Sequence, residues 1–258
     1  LAVIDEQHRF GVSQRLLLTS KAEHPPHLLV MTATPIPRTL TLTQSGEMDV
    51  SRIDEMPPGR TPVETRVVSD ERLGEVVDGL GRHLLNGGQA YWVCPLVEES
   101  EKSDAAAAEE RARILRLRFG DNRVGLVHGR MKGPEKDAVM GRFAANELAV
   151  LVATTVIEVG VDVPNATLMI VEGAERFGLA QLHQLRGRVG RGTGKSTCLL
   201  IRGQTLTEVG RARLALMRET SDGFRIAEED LRLRGPGEIL GTRQSGEVAF
   251  RVANAQDV

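Results

Sequence analysis

The sequence is poor in cysteine and lacks long apolar runs. Its two cysteines, Cys94 and Cys198, stand in no CxxC or His-paired spacing, so neither a zinc knuckle nor a disulfide framework is indicated. The longest apolar runs, such as 28–31 and 150–153, fall far short of the roughly 18 residues that a membrane helix needs. We therefore expect a protein of a reducing cytoplasm that does not cross a membrane.

Lysine is also scarce. Only five of the 33 basic residues are Lys, which leaves 28 Arg, the residue suited to bidentate phosphate contacts. Codon bias explains this excess equally well, so we assign function only where Arg falls at motif spacing. The net charge is −2, but residues 186–251 hold 13 basic and 8 acidic side chains, a local surplus of +5.

The chain also lacks a P-loop, the loop that cradles a nucleoside triphosphate. Gly194-Lys195-Ser196 resembles the end of one, but a second Gly is required five positions before Gly194, where Val189 stands. A P-loop leads from a strand into a helix, whereas this stretch leads into a predicted strand. A triphosphate therefore cannot be held here in that way.

Short β-branched or leucine-rich runs alternate with helical stretches. Strands are predicted at 1–4, 28–31, 63–68, 89–97, 123–128, 149–154, 167–172 and 196–201. Helices are predicted over 71–86 and 104–119, the second with Asp104 as its N-cap. This alternation predicts an α/β fold with a parallel sheet.

Breaks in this pattern predict the domain organisation. The Pro/Gly-rich stretch 56–62 is typical of a linker, and residues 205–234 are typical of two helices followed by a glycine-rich loop. We predict a first unit at 1–55, the linker at 56–62, a second α/β unit at 63–204 and a helical element at 205–258. Because Leu1 already lies in a predicted strand, we interpret the chain as a fragment.

Residue types suited to catalysis, metal binding or nucleotide binding follow several of the predicted strands. Asp5 and Glu6 end the first strand, where an Asp can hold Mg²⁺ and a Glu can polarise water, although a solvated acidic turn is the commoner explanation. Thr32 and Thr34 follow the second strand and can relay a nucleotide state or cap a helix. Asp162 is placed to accept from a ribose hydroxyl.

Two further stretches carry arginines. His128-Gly129-Arg130 offers a glycine for close backbone approach and an Arg for a phosphate, and a plain β-turn explains it equally well. Residues 181–191 are interpreted as one helix, in which Gln184, Arg188 and Arg191 share a face. Its packing face would hold Leu182, Leu185 and Val189. Arginines so placed stabilise charge on a transferring phosphoryl group, and we favour this over a solvated basic helix.

Taken in order, the residues around Asp5, Thr32, Gly160 and Arg188 resemble motifs II, III, V and VI of superfamily 2 helicases. Within them the chain resembles the RecG family, bacterial ATP-dependent DNA helicases that remodel stalled forks and branched recombination intermediates. The closer resemblance lies in 53–62, 89–101, 234–238 and 241–244, the last two being similar to that family's translocation motif. It covers essentially all 258 residues.

The resemblance implies RecA-like motor domains, the cofactors ATP and Mg²⁺, and a role for each matching residue. Asp5 would hold Mg²⁺ and Glu6 would activate water. Nucleotide or phosphate contacts would come from Gly160, Asp162, Gln184, Arg188 and Arg191. Coupling between ATP and DNA would involve Gln7, His8, Thr32 and Thr34. The DNA backbone would meet His128, Arg130 and Thr155, and translocation would involve Arg232, Arg234, Arg243 and Gln244.

The resemblance also implies that a wedge domain and motifs I, Ia and Ib, with the P-loop, precede Leu1. We therefore expect the fragment alone to be inactive, and its partners to be forked or branched DNA and the missing N-terminal part. The absence of coiled-coil heptads favours a monomer. Two alternatives remain: an Mfd-type transcription-repair translocase, and a non-catalytic DNA-binding module. Gln7 and 98–101 favour RecG over the first, and Glu6 with Arg188 and Arg191 argues against the second.

Overall fold

A computed structural model describes residues 1–5, 26–31, 49, 51, 53, 55, 60–95, 101–154, 163–192 and 194–234. The first part of the chain contributes a pair of parallel strands, β1 (Ala2–Ile4) and β2 (Leu28–Val30). The first predicted strand is confirmed and is only partly buried, because Ile4 is buried whereas Val3 is 53% exposed. The described part of this sheet has two strands, and Ile4 is the side chain of β1 that they bury.

The described residues from 60 onward are built on a six-stranded parallel sheet. Its strands are β3 (Glu64–Ser69), β4 (Gln89–Val93), β5 (Val124–Val127), β6 (Val150–Ala153), β7 (Ala166–Val171) and β8 (Thr197–Arg202). They are arranged in the order β3-β8-β7-β4-β6-β5, and every neighbouring pair is parallel. The predicted α/β class and parallel sheet are confirmed.

Helices lie between these strands and after β8. They are α1 (Leu73–Leu85), α2 (Glu101–Phe119), α3 (Gly133–Ala144), α4 (Leu179–Arg186), α5 (Glu208–Glu219) and α6 (Gly223–Arg234). Single 3₁₀ turns occupy 70–72, 121–123 and 174–176. The two helices predicted within 205–234 are confirmed as α5 and α6. No helix in the described ranges combines the length and apolar character that crossing a bilayer requires.

Two predicted boundaries are wrong. Asp104 is not an N-cap, since α2 starts three residues earlier at Glu101, and Glu and Lys are good helix formers that extend the first turn. β4 does not continue to residue 97 but ends at Val93. The Cys94 N–H still bonds the Ala153 carbonyl, and Pro95 has no N–H with which to extend the ladder.

The hydrophobic core lies on both faces of the sheet. Tyr91 and Trp92 are adjacent in β4 and therefore point to opposite faces, and each is fully buried. The Tyr91 side packs against Phe143 and α4, while the Trp92 side packs against α1 and α2. Burial of the central strands on both faces is typical of parallel sheets covered by helices.

A buried amide joins three connections at the amino end of β4. The Gln89 Nε2 donates to the carbonyls of Phe143 at 2.7 Å and Leu148 at 2.6 Å. Asn165 Nδ2 donates to the Gln89 Oε1 at 3.3 Å and to the Gly87 carbonyl at 3.0 Å. The turns that lead into β4, β6 and β7 are thereby held together.

Replacing Gln89 by Leu is expected to lower the free energy of unfolding by about 1–3 kcal/mol, because the buried Leu148 carbonyl loses its donor. Urea denaturation measures this change. The matched control is Gln204→Leu, which makes the same replacement at an exposed position. Equal stabilities of the two variants would contradict the role assigned to the amide network.

Candidate functional site

The arginines of the basic stretch stand in a loop, not on one helix. Helix α4 ends at Arg186, Gly187 is its C-cap, and Gly190 has a φ of +78°. The predicted helix over 181–191, with Gln184, Arg188 and Arg191 on one face, is therefore wrong. The physical reason lies in the two glycines within 181–191: Gly187 ends the helix, and Gly190 allows a left-handed turn. We call residues 187–192 the arginine loop.

The arginine loop is held against the body of the domain. Leu182, Leu185 and Val189 are all buried, so the predicted packing face is confirmed although part of it lies beyond the helix. The Arg188 N–H bonds the Leu185 carbonyl at 3.0 Å, and the Arg191 Nε donates to the Gly187 carbonyl at 3.3 Å. Arg191 is exposed. The loop thus presents guanidiniums from a fixed backbone.

The arginine loop lies at the amino ends of the strands. Gly190 packs on Val63, just before β3, and Gly192 packs on Pro164, just before β7. The His128 and Arg130 pair follows β5, at the opposite edge. Strands of four to six residues put roughly 13–20 Å between the two edges. The sheet therefore separates the candidate phosphate contacts from the candidate DNA contacts.

A buried arginine connects α4 with the C-terminal helices. The Arg186 side chain donates to the carbonyls of Met217 at 2.9 Å and Thr220 at 2.8 Å, which end α5, and to His183 Nδ1 at 3.0 Å. Burial lowers the pKa of Arg186. Arg186 was not predicted from the sequence, although its spacing of four from Leu182 placed it on the packing face.

His183 is held neutral by its surroundings. Burial, followed by the nearby charge of Arg186, lowers the pKa of His183 to about 4 from 6.5. A neutral ring can accept a hydrogen bond through Nδ1, and Arg186 donates one there. His183 therefore supports the buried guanidinium only in its unprotonated form.

The stability of the chain is expected to fall as the pH drops from 6.5 to 4. Above pH 6.5 His183 is neutral in both the folded and the unfolded state. Between pH 6.5 and about 4, His183 is protonated in the unfolded chain but stays neutral in the folded chain. This difference amounts to about 3 kcal/mol. In thermal unfolding over this pH range, His183→Asn keeps an acceptor and should flatten the curve. An unchanged curve would contradict the assignment.

At the carboxyl edge, His128 and Arg130 lie in different environments. The His128 Nε2 lies 3.5 Å from the Glu109 Oε1 of α2, and its side chain is 13% exposed. Arg130 is exposed in a turn closed by the Met131 N–H and the His128 carbonyl, which confirms the β-turn interpretation. The DNA contact stays a prediction, and Arg130 is the more accessible of the two.

A cluster at the same edge was not foreseen. Glu172, just after β7, accepts hydrogen bonds from Trp92 Nε1 and from Arg111, whose Nε lies 2.5 Å away. The Arg111 guanidinium also lies 5.4 Å from the Trp92 ring centroid. Burial and the charge of Glu172 raise the pKa of Cys94 to about 12, so that its thiol is unreactive. Arg111 and Trp92 are 61 and 80 positions from Glu172 along the sequence, so no local sequence pattern reveals this cluster.

Several predicted site residues lie outside the described residues. These are Glu6, Gln7, His8, Thr32, Thr34, Thr155, Gly160, Asp162, Arg243 and Gln244. Arg234 is the last residue of α6, and Arg232 is exposed and pairs with Glu229 at 2.7 Å. Asp5 is exposed directly after β1. Over the described ranges, no three His, Cys, Asp or Glu side chains are grouped to hold a metal.

Comparison with protein families places two regions of the chain. Residues 71–193 match the helicase conserved C-terminal domain, and residues 220–257 match the C-terminal part of domain 3 of the ATP-dependent DNA helicase RecG. The first region runs from α1 to the arginine loop and contains four of the six strands, β4 to β7. The second contains α6 and the predicted translocation loop.

Individual relatives agree with these matches. The chain is 57% identical to the ATP-dependent DNA helicase RecG of Pasteurella multocida and 52% identical to that of Bacillus subtilis, in each case over 98% of the chain. It spans 37% of the length of both relatives.

Solved structures share the fold. The structure of RecG bound to a three-way DNA junction matches 92% of the chain with a TM-score of 0.74 and 46% identity, and the chain covers 30% of it. The helicase Lhr of Mycobacterium smegmatis, bound to ssDNA and AMP-PNP, matches 85% with a TM-score of 0.61 and 20% identity, covering 31% of that chain. The six-stranded sheet is thus the RecA-like sheet of helicase motors.

Proposed function

Because the chain belongs to the RecG family of ATP-dependent DNA helicases, we propose that it is the C-terminal part of an enzyme that couples ATP hydrolysis to movement on duplex DNA. In this proposal the enzyme remodels stalled forks and Holliday junctions in DNA repair and recombination. The observation that carries the proposal is the 57% identity to a RecG helicase over 98% of the chain. Since the chain spans 37% of that relative, the activity belongs to the longer protein.

In this proposal the arginine loop acts on the nucleotide. Arg188 and Arg191 stand on a backbone held by the buried Val189 and by hydrogen bonds to Leu185 and Gly187, so the loop that carries their guanidiniums is in place before phosphates bind. Gln184, half-buried in α4, would contact the phosphates together with them. Because the chain has no P-loop, the phosphates must be held by residues outside it.

The cofactors follow from the same assignment. An exposed carboxylate at a strand end fits Mg²⁺, which in nucleotide enzymes is held by one or two carboxylates together with substrate phosphates, and Asp5 would be that ligand. Glu6 would activate water, and Gly160 with Asp162 would touch the nucleotide. The coupling residues and the translocation residues Arg232, Arg234, Arg243 and Gln244 keep the roles predicted above.

We also propose the division into a first motor remnant at 1–55, a linker at 56–62, a second motor domain at 63–204 and a translocation element at 205–258. The protein would act as a monomer in the bacterial cytoplasm, close to the nucleoid. RecG relatives at this identity favour the RecG assignment over an Mfd-type translocase. A non-catalytic module is distinguished by measuring turnover.

ATP hydrolysis with and without forked DNA tests this proposal. We expect no turnover by the 258-residue chain and DNA-stimulated turnover by a full-length RecG protein that carries it. In that protein Arg188→Ala should lower turnover by about 10³-fold or more while sparing DNA affinity, because the guanidinium acts on the transition state. The control is Arg113→Ala, on the exposed face of α2.

Two results would contradict the proposal. Turnover by the short chain would mean that it holds a triphosphate site of its own. Wild-type turnover after Arg188→Ala would remove the catalytic role of that arginine. A full-length protein that binds forked DNA without any turnover would instead favour the non-catalytic module.

DNA binding by the full-length protein is expected to weaken steeply with ionic strength, because phosphate contacts release condensed counterions. Removing one phosphate contact with Arg130→Ala should reduce the slope of log affinity against log salt by about one. Fluorescence anisotropy with labelled forked DNA measures both slopes, and Arg118→Ala on α2 is the control. A slope unchanged by Arg130→Ala would exclude Arg130 from the DNA contact.

A further inference from the structure

The arginine loop is bound by a residue from the predicted linker. Arg60 Nε donates to the carbonyl of Gly190 at 3.2 Å, and its second nitrogen donates to the carbonyl of Gly187, also at 3.2 Å. Thr61 Oγ1 lies 3.4 Å from the carbonyl of Gly194. Residues 60 and 61 therefore lie against the second motor domain, more than 125 positions away from their partners along the sequence.

The backbones of these two segments are also in close contact. A Cβ added to Gly190 would lie 2.7 Å from Val63 Cγ2 and 3.6 Å from the Thr61 carbonyl. One residue further, the Glu64 N–H bonds the Ser196 carbonyl at 2.9 Å and begins the pairing of β3 with β8. The glycine is required here both for its positive φ and for this close approach.

The two acceptors of Arg60 mark the two sides of Arg188. Gly187 is the C-cap of α4, where helix carbonyls lack intrahelical donors and carry partial negative charge. A planar guanidinium can bond both carbonyls at once and so fix their separation. Arg191 also donates to the Gly187 carbonyl, so Arg60 and Arg191 share an acceptor.

We propose that Arg60 is a positioning residue of the ATPase site. It holds the arginine loop in the geometry in which Arg188 and Arg191 meet the phosphates, and it does so from the segment that joins the two motor units. This role rests on the proposed function, since it requires that the arginine loop takes part in ATP turnover.

The test measures ATP turnover, forked-DNA affinity and melting temperature in a full-length RecG protein that carries this sequence. Arg60→Ala should lower kcat by about 10- to 100-fold, because displacing a catalytic group by about 1 Å costs this much. DNA affinity should be unchanged, and the melting temperature should match that of Arg113→Ala, the control on α2. Arg60→Lys should not restore kcat, since an ammonium group lacks the planar fork that bonds both carbonyls.

A second variant disturbs the contact between the arginine loop and residues 60–63 by changing the loop instead of Arg60. Gly190→Ala leaves Arg60 intact but forces the loop away from Val63, so it should lower kcat to a similar extent. A wild-type kcat for Arg60→Ala, with turnover lost in Arg188→Ala, would overturn the positioning role and leave the proposed function standing. A lowered melting temperature with kcat unchanged would assign Arg60 a purely structural role and would equally overturn it. Wild-type turnover in Arg188→Ala would contradict both the catalytic role of Arg188 and the positioning role of Arg60.

Discussion

The arrangement of the site depends on a guanidinium buried against carbonyl oxygens. Arg186 is 4% exposed, and it donates to the end of α5, to a neutral imidazole and to the Thr65 hydroxyl of β3. Burying a charged guanidinium costs free energy unless its N–H donors have acceptors. These hydrogen bonds therefore hold α4 and α5 in one relative position. Because Arg186 is the last residue of α4, the same constraint fixes where the arginine loop begins.

The candidate site residues lie at two opposite edges of the sheet. The amino edge holds the arginine loop together with the segment entering β3, whereas the carboxyl edge holds Arg130 and the Trp92, Arg111 and Glu172 cluster. In the proposed function the nucleotide and the DNA would therefore be contacted at opposite edges of one sheet. Burial of β4 on both faces makes this sheet rigid.

The sequence was sufficient for the fold class, because the spacing of apolar residues reflects burial on a parallel sheet. It also singled out Arg188 and Arg191, because their types and spacing resemble a known motif, and their contact with phosphates stays a prediction. It was misleading on their geometry, since glycine both lowers helix propensity and ends helices, and spacing alone does not distinguish these effects. Arg60, Arg111 and Arg186 act through partners that are distant in sequence, and only the folded chain brings these together.

Trp92 gives this part of the protein a built-in optical reporter. It is the one tryptophan in 258 residues, and it is fully buried, with its indole N–H bonded to Glu172 and Arg111 close to its ring. The emission of such an indole depends on the charges and hydrogen bonds around it. Tryptophan fluorescence from these residues therefore reports on one place, the junction between α2 and the carboxyl ends of β4 and β7.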